Sequence, residues 1–378
     1  MLSLPGFRWG ATIATYYCVD TMDALQVLKE FKGRLDKELE AYFNRMIAEA
    51  TRKDVFMADV LEHAKKLTLA GGKRLRPALM YYGYLAAGGR EEEKMLQASM
   101  SIELVHAFLL MHDDIIDRDD LRHGIETIHY RYSEIGKRTF KREEGRHFGE
   151  SIALIAGDMV GAMGNQVLYE SSFDPALILQ ALARLQDVVA LTVIGQSKDL
   201  YIEYAKEASE NEIVKMYEYK TARYTVEGPL HLGGILGGAQ PHVLDIMSRY
   251  AIPIGIAFQI QDDILGVFGS EAKLGKPVGS DIAEGKFTLL VSKALEYLSG
   301  NAREEFFEIL SKGEFLQEKD IQRFRFLLQS SGSLEYARTL AQRYISDGKN
   351  AMLEAADIQS DAKEFFLGIA DYMAQREC

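Results

Sequence analysis

Apolar residues recur every three or four positions along most of this chain, and that spacing constrains the fold more than any other feature of the sequence. From Asp23 onward, the positions that predict one face of an amphipathic helix are Leu25, Leu28, Phe31, Leu35, Leu39, Phe43 and Met46. The same period predicts helices over Val55–Leu69, Met95–Ile116, Glu150–Tyr169, Ala176–Ala205, Glu212–Leu230, Val243–Leu265, Phe287–Leu298 and Leu334–Met352. No segment shows sustained two-residue alternation, so strands are not expected.

The helical segments follow one another without a proline- or serine-rich linker. The chain has 378 residues, 47% of them hydrophobic, and only 7 prolines, which is enough apolar material for a large core. We therefore predict an all-α protein: a single-domain helical bundle around a deep central cavity, spanning residues 22–378. Residues 1–21 precede the helical pattern and are expected to form a flexible N-terminal extension, and the polar stretch 131–146 is expected to be a surface insertion.

Charge and cysteine content limit the environment and the partners. A formal net charge of −12 argues against nucleic acid as a partner. The two cysteines, Cys18 and Cys378, lie near opposite ends with no pairing pattern, which suits a reducing cytoplasm. No run of about 18 uncharged apolar residues is found, so no membrane span is expected.

Two acidic motifs carry the chemistry. Asp113, Asp114 and Asp117 end one apolar helix in the sequence DDIID, and Asp262 and Asp263 end another. At about 100° per residue, the first three carboxylates fall within an arc of roughly 100°. Clustered carboxylates repel each other unless a hard cation lies between them, and magnesium leaves coordination positions open for phosphate oxygens. One such motif alone could be a solvated helix end, but two predict a shared metal and diphosphate site.

Basic residues accompany these motifs. The sequence GGKRLRP (71–77) places three cations beside a flexible turn, where arginine can bind phosphate through two hydrogen bonds and lysine adds a point charge. His106 lies seven residues before Asp113, about 20° away on a helical wheel, and so faces the same space. On its own, His106 is better explained as a hydrogen-bonded core histidine than as a ligand. Nucleophile patterns, zinc spacings and dinucleotide glycine motifs are missing from the sequence.

Taken together, these motifs resemble the trans-prenyl diphosphate synthase family over the chain from about Met22 to its end. The matching motifs, in order, are GGKRLRP (71–77), HAFLLMHDDIID (106–117), DLRHG (120–124), GQSKDL (195–200), KTARYT (220–225), FQIQDDILG (258–266) and GKPVGSDIAEGK (275–286). The resemblance implies the isoprenoid synthase fold, a homodimer, and joining of isopentenyl diphosphate to an allylic diphosphate with release of pyrophosphate. It also implies Mg2+, with three ions in each active site.

The resemblance also implies roles for individual residues. Magnesium ligands would be Asp113, Asp117 and Asp262, supported by Asp114 and Asp263. Residues that hold or orient the allylic diphosphate would be Arg122, Lys220, Thr221, Gln259, Lys276 and Lys286. Isopentenyl diphosphate would be held by Lys73, Arg76 and His106, and His123 occupies a further position in that site.

Three features depart from the family pattern. His123 replaces the second arginine of the usual RRG sequence, which weakens one expected isopentenyl diphosphate contact. Gly266 replaces the last aspartate of the second acidic motif, at a position where family members vary. The stretch 131–146 is longer than in most members.

The product length is set, by the same resemblance, just before the first acidic motif. Phe108 is aromatic, Leu109 is not, and DDIID has no insertion, a combination that resembles archaeal-type geranylgeranyl diphosphate synthases. Farnesyl diphosphate is the alternative product, and core packing is the less favoured explanation of Phe108. A class I terpene cyclase is disfavoured by GGKRLRP, which a cyclase does not need. A non-catalytic regulatory subunit is disfavoured because both acidic motifs are present.

Overall fold

In the computed structural model, residues 23–140, 145–269 and 279–374 are described, and nearly all of their regular structure is helical. The first half contains α1 (Ala24–Thr51), α2 (Val55–Ala70), α3 (Leu75–Ala86), α4 (Glu92–Asp117), a hairpin of β1 (Leu121–Arg122) and β2 (Ile125–Glu126), α5 (Ile128–Phe140), α6 (Gly145–Tyr169) and α7 (Pro175–Ala205). The second half contains α8 (Glu210–Tyr217), a π-helix (Glu218–Glu227), α9 (Gly228–Leu236), α10 (Pro241–Phe268), α11 (Ser280–Ala283), α12 (Leu289–Tyr297), α13 (Gly300–Leu310), a 3₁₀ turn (Gly313–Phe315), α14 (Glu318–Ser331), α15 (Ser333–Leu353) and α16 (Ser360–Ala374). The predicted all-α class is confirmed.

Helix α1 shows how the sequence pattern becomes structure. The Asp23 side chain accepts hydrogen bonds from the backbone N–H groups of Leu25 and Gln26 and caps the helix. Its three- and four-residue apolar spacing is fully buried at Leu35 and Phe43. The predicted helical face therefore packs into the core, except at Leu25 in the first turn, which is exposed.

Helices α4 and α10 bring the two acidic motifs together. Helix α4 packs against α3 and α6, whereas α10 packs against α15 and the π-helix. Both motifs lie at the C-terminal ends of their helices, and Leu110 of α4 and Phe258 of α10 line the same cavity. The helices that carry the two acidic motifs therefore border one cavity.

The π-helix is held between two glycines. A Cβ atom on Gly195 of α7 would lie 2.4 Å from the backbone N of Lys220, and one on Gly255 of α10 would lie 2.3 Å from Cα of Ala222. No larger residue fits at either contact, so these glycines let both helices approach the π-helix backbone. The segment predicted as one helix over Glu212–Leu230 is instead divided into α8, the π-helix and the start of α9.

The structure differs from two further predictions, the surface insertion and the absence of strands. Residues 131–140 of the predicted insertion form part of α5, where Tyr132 is fully buried and Gly136 contacts Phe148 of α6. This part is thus a packed element, because its polar residues occupy only one helical face. The hairpin β1–β2, with Leu121 opposite Glu126, is an unexpected pair of short strands. The predicted extension 1–21 lies outside the described residues, as do residues 141–144.

Three described helices are long and apolar enough to cross a membrane by length and composition alone: Gly145–Tyr169, Pro175–Ala205 and Pro241–Phe268. The stricter criterion applied to the sequence, a run free of charges, did not identify them. Half or more of the apolar window is buried inside the bundle in α6 and α10, but only 28% in α7. Helix α7 therefore exposes an apolar face.

Candidate active site

A basic pocket and a carboxylate site lie next to each other at the end of the bundle where α4 and α10 meet. The basic pocket is a cavity of about 410 Å³ whose polar lining includes Lys73, Arg74, Arg76, Glu103, His106, Asp114, Arg122 and His123. The carboxylate site is formed by Asp113 and Asp117, with the lysines Lys220 and Lys286 near enough to influence Asp117. Asp262, predicted to belong to the same site, lies near the end of α10. Asp114 and Arg122 line the basic pocket, and their neighbour Asp113 belongs to the carboxylate site, so the two regions adjoin.

Arg76 is fixed in the basic pocket by neutral partners. It lies 3.1 Å from Nε2 of His106, donates to Oγ1 of Thr225 at 2.8 Å, and has its guanidinium 4.5 Å from the centre of the Tyr224 ring. Since arginine has no acceptor, Nε2 of His106 accepts, and its Nδ1–H donates to the Tyr224 hydroxyl at 2.9 Å. Burial and the positive charge of Arg76 hold the pKa of His106 well below its usual value. His106 is therefore neutral and orients Arg76.

Arg74 anchors the turn that presents these cations. It has φ of 58°, in the left-handed region, and is 4% exposed. Its guanidinium donates to Asp36 at 2.7 Å, to Glu103 at 2.6 Å and to the backbone oxygen of Thr68 at 2.7 Å. A buried arginine with three partners compensates for an unfavourable backbone conformation. Lys73 and Arg76 thus lie on either side of Arg74, whose position is fixed by these hydrogen bonds.

Lys73 and His123 enter the basic pocket from segments remote from each other. The Lys73 ammonium donates to the hydroxyl of Tyr372 in α16 and lies 4.4 Å from the centre of its ring. The His123 ring packs on Gly71, where a Cβ atom would lie 2.3 Å from it. Burial, Arg122 and Arg74 lower the pKa of His123, which disfavours a positive charge where the family pattern has an arginine.

Asp114 and Arg122 form an ion pair on the basic side of α4. Nε of Arg122 donates to Oδ1 of Asp114 at 2.6 Å, and Asp119 lies 3.5 Å from the same guanidinium. Burial raises the pKa of Asp114 to about 6 despite the opposing effect of Arg122. The three carboxylates of DDIID therefore do not act as one group, since Asp114 holds Arg122 while its two neighbours belong to the carboxylate site.

Asp113 and Asp117 lie on the other side of α4. Asp113 accepts a hydrogen bond from Nε2 of Gln196 on α7 at 2.9 Å. Burial and the negative charge of Asp113 raise the pKa of Asp117, and the lysines Lys286 and Lys220 only partly offset them. Two carboxylates in this position favour a bound cation.

Lys220 completes the carboxylate site from the π-helix. Its ammonium donates to Oδ2 of Asp199 on α7. Burial disfavours its charge, but Asp199 and Asp113 more than compensate and raise the pKa of Lys220. Lys220 is therefore a fixed positive charge beside the first acidic motif.

The second acidic motif ends a chain of hydrogen bonds. Thr221 donates to Oε1 of Gln259 at 2.5 Å, and Nε2 of Gln259 donates to Oδ1 of Asp263 at 2.9 Å. The Tyr217 hydroxyl donates to the other oxygen of Asp263 and accepts from the backbone N–H of Leu289 at 2.9 Å. Burial raises the pKa of Asp263 to about 7. Asp263 thus supports Gln259 and Thr221, while the adjacent Asp262 is half-buried at the end of α10.

Lys286 follows α11 and pairs with two carboxylates of its own segment. Its ammonium lies 2.8 Å from Glu284 and 3.5 Å from Asp281. Burial opposes the charge, but Asp281, Glu284 and Asp117 raise the pKa of Lys286 well above its usual value. Lys276, which was predicted to hold the allylic diphosphate, lies outside the described residues.

The donor set suits magnesium. Within residues 23–140, 145–269 and 279–374, no three or more His, Cys, Asp or Glu side chains converge as a ready-made metal site. Magnesium binds through one or two carboxylates together with phosphate oxygens and water, not through an all-protein cage. Burial and Asp113 raise the pKa of Asp117, so a cation beside these carboxylates would favour their ionised form. The residues therefore fit a cation that arrives with a diphosphate.

The two residues predicted to set chain length lie below the carboxylate site on α4. Phe108 and Leu109 are both half-buried. The Phe108 ring faces α6, where a Cβ atom on Gly161 would lie 3.2 Å from it, and meets the His112 ring edge-on with 4.9 Å between ring centres. Its role in chain length stays a prediction.

Sequence analysis missed several residues of the site. Gln196 and Asp199 lie within the quoted GQSKDL motif, and Tyr224 and Thr225 lie within KTARYT, so the motif limits were a usable signal. Asp281 likewise lies within GKPVGSDIAEGK. Tyr372 had no signal, because its contact with Lys73 joins residues 299 positions apart.

Comparison with known proteins identifies consistent relatives. A family model described as polyprenyl synthetase matches residues 58–326. Geranylgeranyl diphosphate synthase of Methanosarcina mazei is 33% identical over 358 residues, covering 94% of this chain and 100% of the relative. A short chain isoprenyl diphosphate synthase of Methanothermobacter thermautotrophicus is 32% identical over 356 residues, covering 94% and 99%.

A solved structure has the same fold. The geranylgeranyl pyrophosphate synthase from Corynebacterium glutamicum, crystallised with isoprenyl diphosphate and magnesium, superimposes with a TM-score of 0.86 at 29% identity. The match covers 93% of this chain and 99% of that one. The likeness therefore extends over nearly the whole bundle.

Proposed function

This chain belongs to the polyprenyl synthetase family, and from that premise we propose that it is a short-chain prenyl diphosphate synthase whose main product is geranylgeranyl diphosphate. It joins isopentenyl diphosphate to an allylic diphosphate (dimethylallyl, geranyl or farnesyl) and releases pyrophosphate.

One observation supports this function above the alternatives: the basic pocket and the carboxylate site adjoin across a single helix. Asp114 and Arg122 line the basic pocket, whereas Asp113 contacts Gln196 on the other side. A condensing enzyme must hold two anionic substrates at once, and two adjoining anion sites provide for that. A terpene cyclase binds one diphosphate and has no use for the basic pocket. A regulatory subunit has no use for a complete carboxylate site.

The carboxylate site holds the allylic substrate in this proposal. The family uses magnesium, and three ions at Asp113, Asp117 and Asp262 would neutralise the departing pyrophosphate. Lys220 is held in place by Asp199, and Lys286 by Asp281 and Glu284 together, so both lysines bind the diphosphate without being reoriented. Thr221 and Gln259 lie next to each other, where their oxygens can stabilise positive charge on the allylic carbon.

The basic pocket holds isopentenyl diphosphate. Arg76, oriented by neutral His106, and Lys73 bind its phosphates, and Arg122 lines the same pocket. Leu110, Met111 and Phe258 line the same cavity and exclude water from the reacting carbons. The isopentenyl double bond attacks the allylic carbon, the bond to pyrophosphate breaks, and the pyrophosphate removes the proton.

The central experiment uses purified protein with magnesium, labelled isopentenyl diphosphate and each allylic primer. We expect geranylgeranyl diphosphate from all three primers, identified by chromatography after removal of phosphate. Farnesyl diphosphate as the end product would overturn the chain-length assignment. Absence of any condensation would overturn the function.

Phe108 provides the test of product length. If its ring blocks the growing tail, Phe108→Ala lengthens the main product and Leu109→Phe shortens it towards farnesyl diphosphate. Each isoprene unit adds roughly one helical turn, about 5 Å, so the change is visible as whole units. A Phe108→Ala protein that loses about 3–5 kcal/mol of stability but keeps its product would show that Phe108 is a core residue.

We also propose a homodimer, supported by the apolar face of α6 and α7. Large apolar side chains that are about half exposed or more are Leu154, Ile155, Leu179, Val193, Ile194, Tyr201 and Tyr204. Exposed large apolar side chains grouped on two neighbouring helices often mark an interface. Light scattering should give twice the 42.5 kDa chain mass, and the variant Ile194→Glu should dissociate. Monomeric wild-type protein would exclude the dimer.

For localisation, we propose the cytoplasm. The support is the cysteine content, since Cys18 and Cys378 show no pairing pattern. Cell fractionation checks this, and recovery in the membrane fraction after a salt wash would contradict it.

A further inference from the structure

The two acidic motifs of this chain differ at their fifth position. In DDIID the fifth residue is Asp117, whereas in DDILG it is Gly266. Both motifs end long helices, α4 and α10, so the fifth positions correspond. The second motif therefore carries two carboxylates where the first carries three.

A carboxylate from another segment lies where the side chain of residue 266 would be. A Cβ atom on Gly266 would lie 1.8 Å from Oδ2 of Asp281 and 2.8 Å from its Cγ. Non-bonded atoms do not approach so closely, so any larger residue at 266 displaces the Asp281 carboxylate. Asp281 belongs to α11, which packs directly against α10. Because Gly266 has no side chain, the Asp281 carboxylate can lie beside the second motif.

Asp281 also holds Lys286. Its Oδ1 lies 3.5 Å from the Lys286 ammonium, and its backbone oxygen accepts a hydrogen bond from the Lys286 N–H at 2.9 Å. The side chains of Asp281 and Lys286 are 20% and 25% exposed, so water screens the pair only in part. Through these contacts, Asp281 connects the end of α10 with the lysine.

We propose that Asp281 is the third carboxylate of the second acidic motif, supplied from α11 into the space that Gly266 leaves, and that it is a positioning residue for Lys286. Without Asp281, Lys286 keeps its ion pair with Glu284 but loses the contact that holds its ammonium near the end of α10. This inference rests on the proposed function, which assigns Lys286 to that substrate. It predicts that residues 266 and 281 are coupled, so that a carboxylate is needed at one of them and tolerated at only one.

The first test measures both substrates separately. Asp281→Ala and the isosteric Asp281→Asn should each raise KM for the allylic diphosphate roughly tenfold, the loss expected of one charge-assisted contact, and leave KM for isopentenyl diphosphate unchanged. Both variants should also bind magnesium pyrophosphate more weakly by calorimetry. The matched control is Asp245→Ala, which removes an exposed carboxylate that lies 3.4 Å from Arg249 on the surface of α10.

The second test exchanges the two positions. Gly266→Ala should reproduce the effect of Asp281→Ala, and in the Asp281→Ala background it should add nothing further. Gly266→Asp combined with Asp281→Ala should recover most of the allylic KM and of the pyrophosphate affinity. Gly33→Ala is the matched glycine control, because a Cβ atom there would have no neighbour within 4 Å. Thermal melting of each variant establishes that it is folded.

The outcomes distinguish a failure of the proposed function from a failure of the positioning role of Asp281. If the wild-type protein forms no prenyl product, the proposed function fails, whatever the variants do. If wild type is active and folded Asp281→Asn keeps its allylic KM, the positioning role is wrong and the proposed function stands. A folded double variant no better than Asp281→Ala would likewise overturn the proposed exchange.

Discussion

The basic pocket and the carboxylate site lie side by side, yet their charged groups are satisfied in opposite ways. In the basic pocket, Arg74 has two carboxylates and Arg76 has His106 and Thr225. In the carboxylate site, burial and Asp113 raise the pKa of Asp117, and on α10 burial raises the pKa of Asp263. The basic pocket is already ordered for an anion. In the carboxylate site, Lys220 and Lys286 offset the negative charge only in part.

This difference indicates how the two substrates are treated. In the function we propose, the pocket that is ordered in advance would bind isopentenyl diphosphate without reorganisation. The carboxylate site would take up its metal ions together with the allylic diphosphate, and would become reactive only when filled.

Removing one metal-binding carboxylate should have the largest effect. Asp113→Ala and Asp262→Ala should each lower turnover by at least several hundredfold, since such electrostatic groups contribute about 3–4 kcal/mol or more. Excess chelator should abolish turnover of the wild type. Steady-state assays check this, with Asp245→Ala as the control. Near-normal turnover in either variant would remove the basis for the carboxylate site.

Removing the Arg74 guanidinium, which anchors the turn beside the basic pocket, should lower the stability of the fold. Arg74→Met leaves Asp36 and Glu103 without their shared cation and should cost about 3–5 kcal/mol of unfolding free energy. Arg34→Met is the matched control, because its ion pair with Glu93 is exposed and such pairs contribute at most about 1 kcal/mol. Denaturant titration compares the two. Equal losses would show that the turn is not anchored as described.

The contacts of the basic pocket should affect one substrate only. Lys73→Ala and Arg76→Ala should raise KM for isopentenyl diphosphate about ten- to a hundredfold, the value of a charge-assisted phosphate contact, and change the allylic KM much less. Lys66→Ala, which removes an exposed lysine of α2, serves as the control. Equal effects on both substrates would mean that the two sites are assigned the wrong way round.

The crowded carboxylates should cost stability in the metal-free protein. The pKa of Asp117 is raised to about 7, so the folded state disfavours its ionised form. The penalty is absent below the unfolded pKa near 4, grows as pH rises, and is complete above about 7. At pH 8, Asp117→Asn should therefore stabilise the metal-free protein by ~1–2 kcal/mol after allowing for solvent screening.

Melting of metal-free Asp117→Asn and wild type at pH 4 and pH 8 checks this sign. The difference should disappear at pH 4, and magnesium pyrophosphate should stabilise the wild type more than the variant. A variant that is less stable at pH 8 would contradict the contrast between the two sites.

His123→Arg should have the smallest effect. Its neighbours Arg122 and Arg74 already disfavour a positive charge on His123, but a bound diphosphate would favour one. We expect KM for isopentenyl diphosphate to be unchanged or lower, with the allylic KM unaffected. A higher KM for isopentenyl diphosphate would show that the His123 ring is needed where it packs on Gly71.

The main helices and the charged motifs could be predicted from the sequence alone, because both depend on residues that are close together along the chain. Three- and four-residue spacing predicted α1, α2, α4 and α10 to within a few residues of their ends, since burial of one helical face depends only on neighbours along the chain. The acidic and basic motifs likewise identified Asp113, Asp117, Lys73 and Arg76.

Tertiary structure decided what each charged group contacts. Asp114 accepts a hydrogen bond from Arg122 and so is separated in function from Asp113 and Asp117. Tyr372, near the other end of the chain, accepts a hydrogen bond from Lys73. The Asp281 carboxylate occupies the space beside Gly266. A sequence motif specifies which residues are near one another along a helix, but hydrogen bonds and ion pairs form between helices. Their partners depend on how closely backbones pack, as at Gly195 and Gly255, and that distance is fixed only when the whole bundle has assembled.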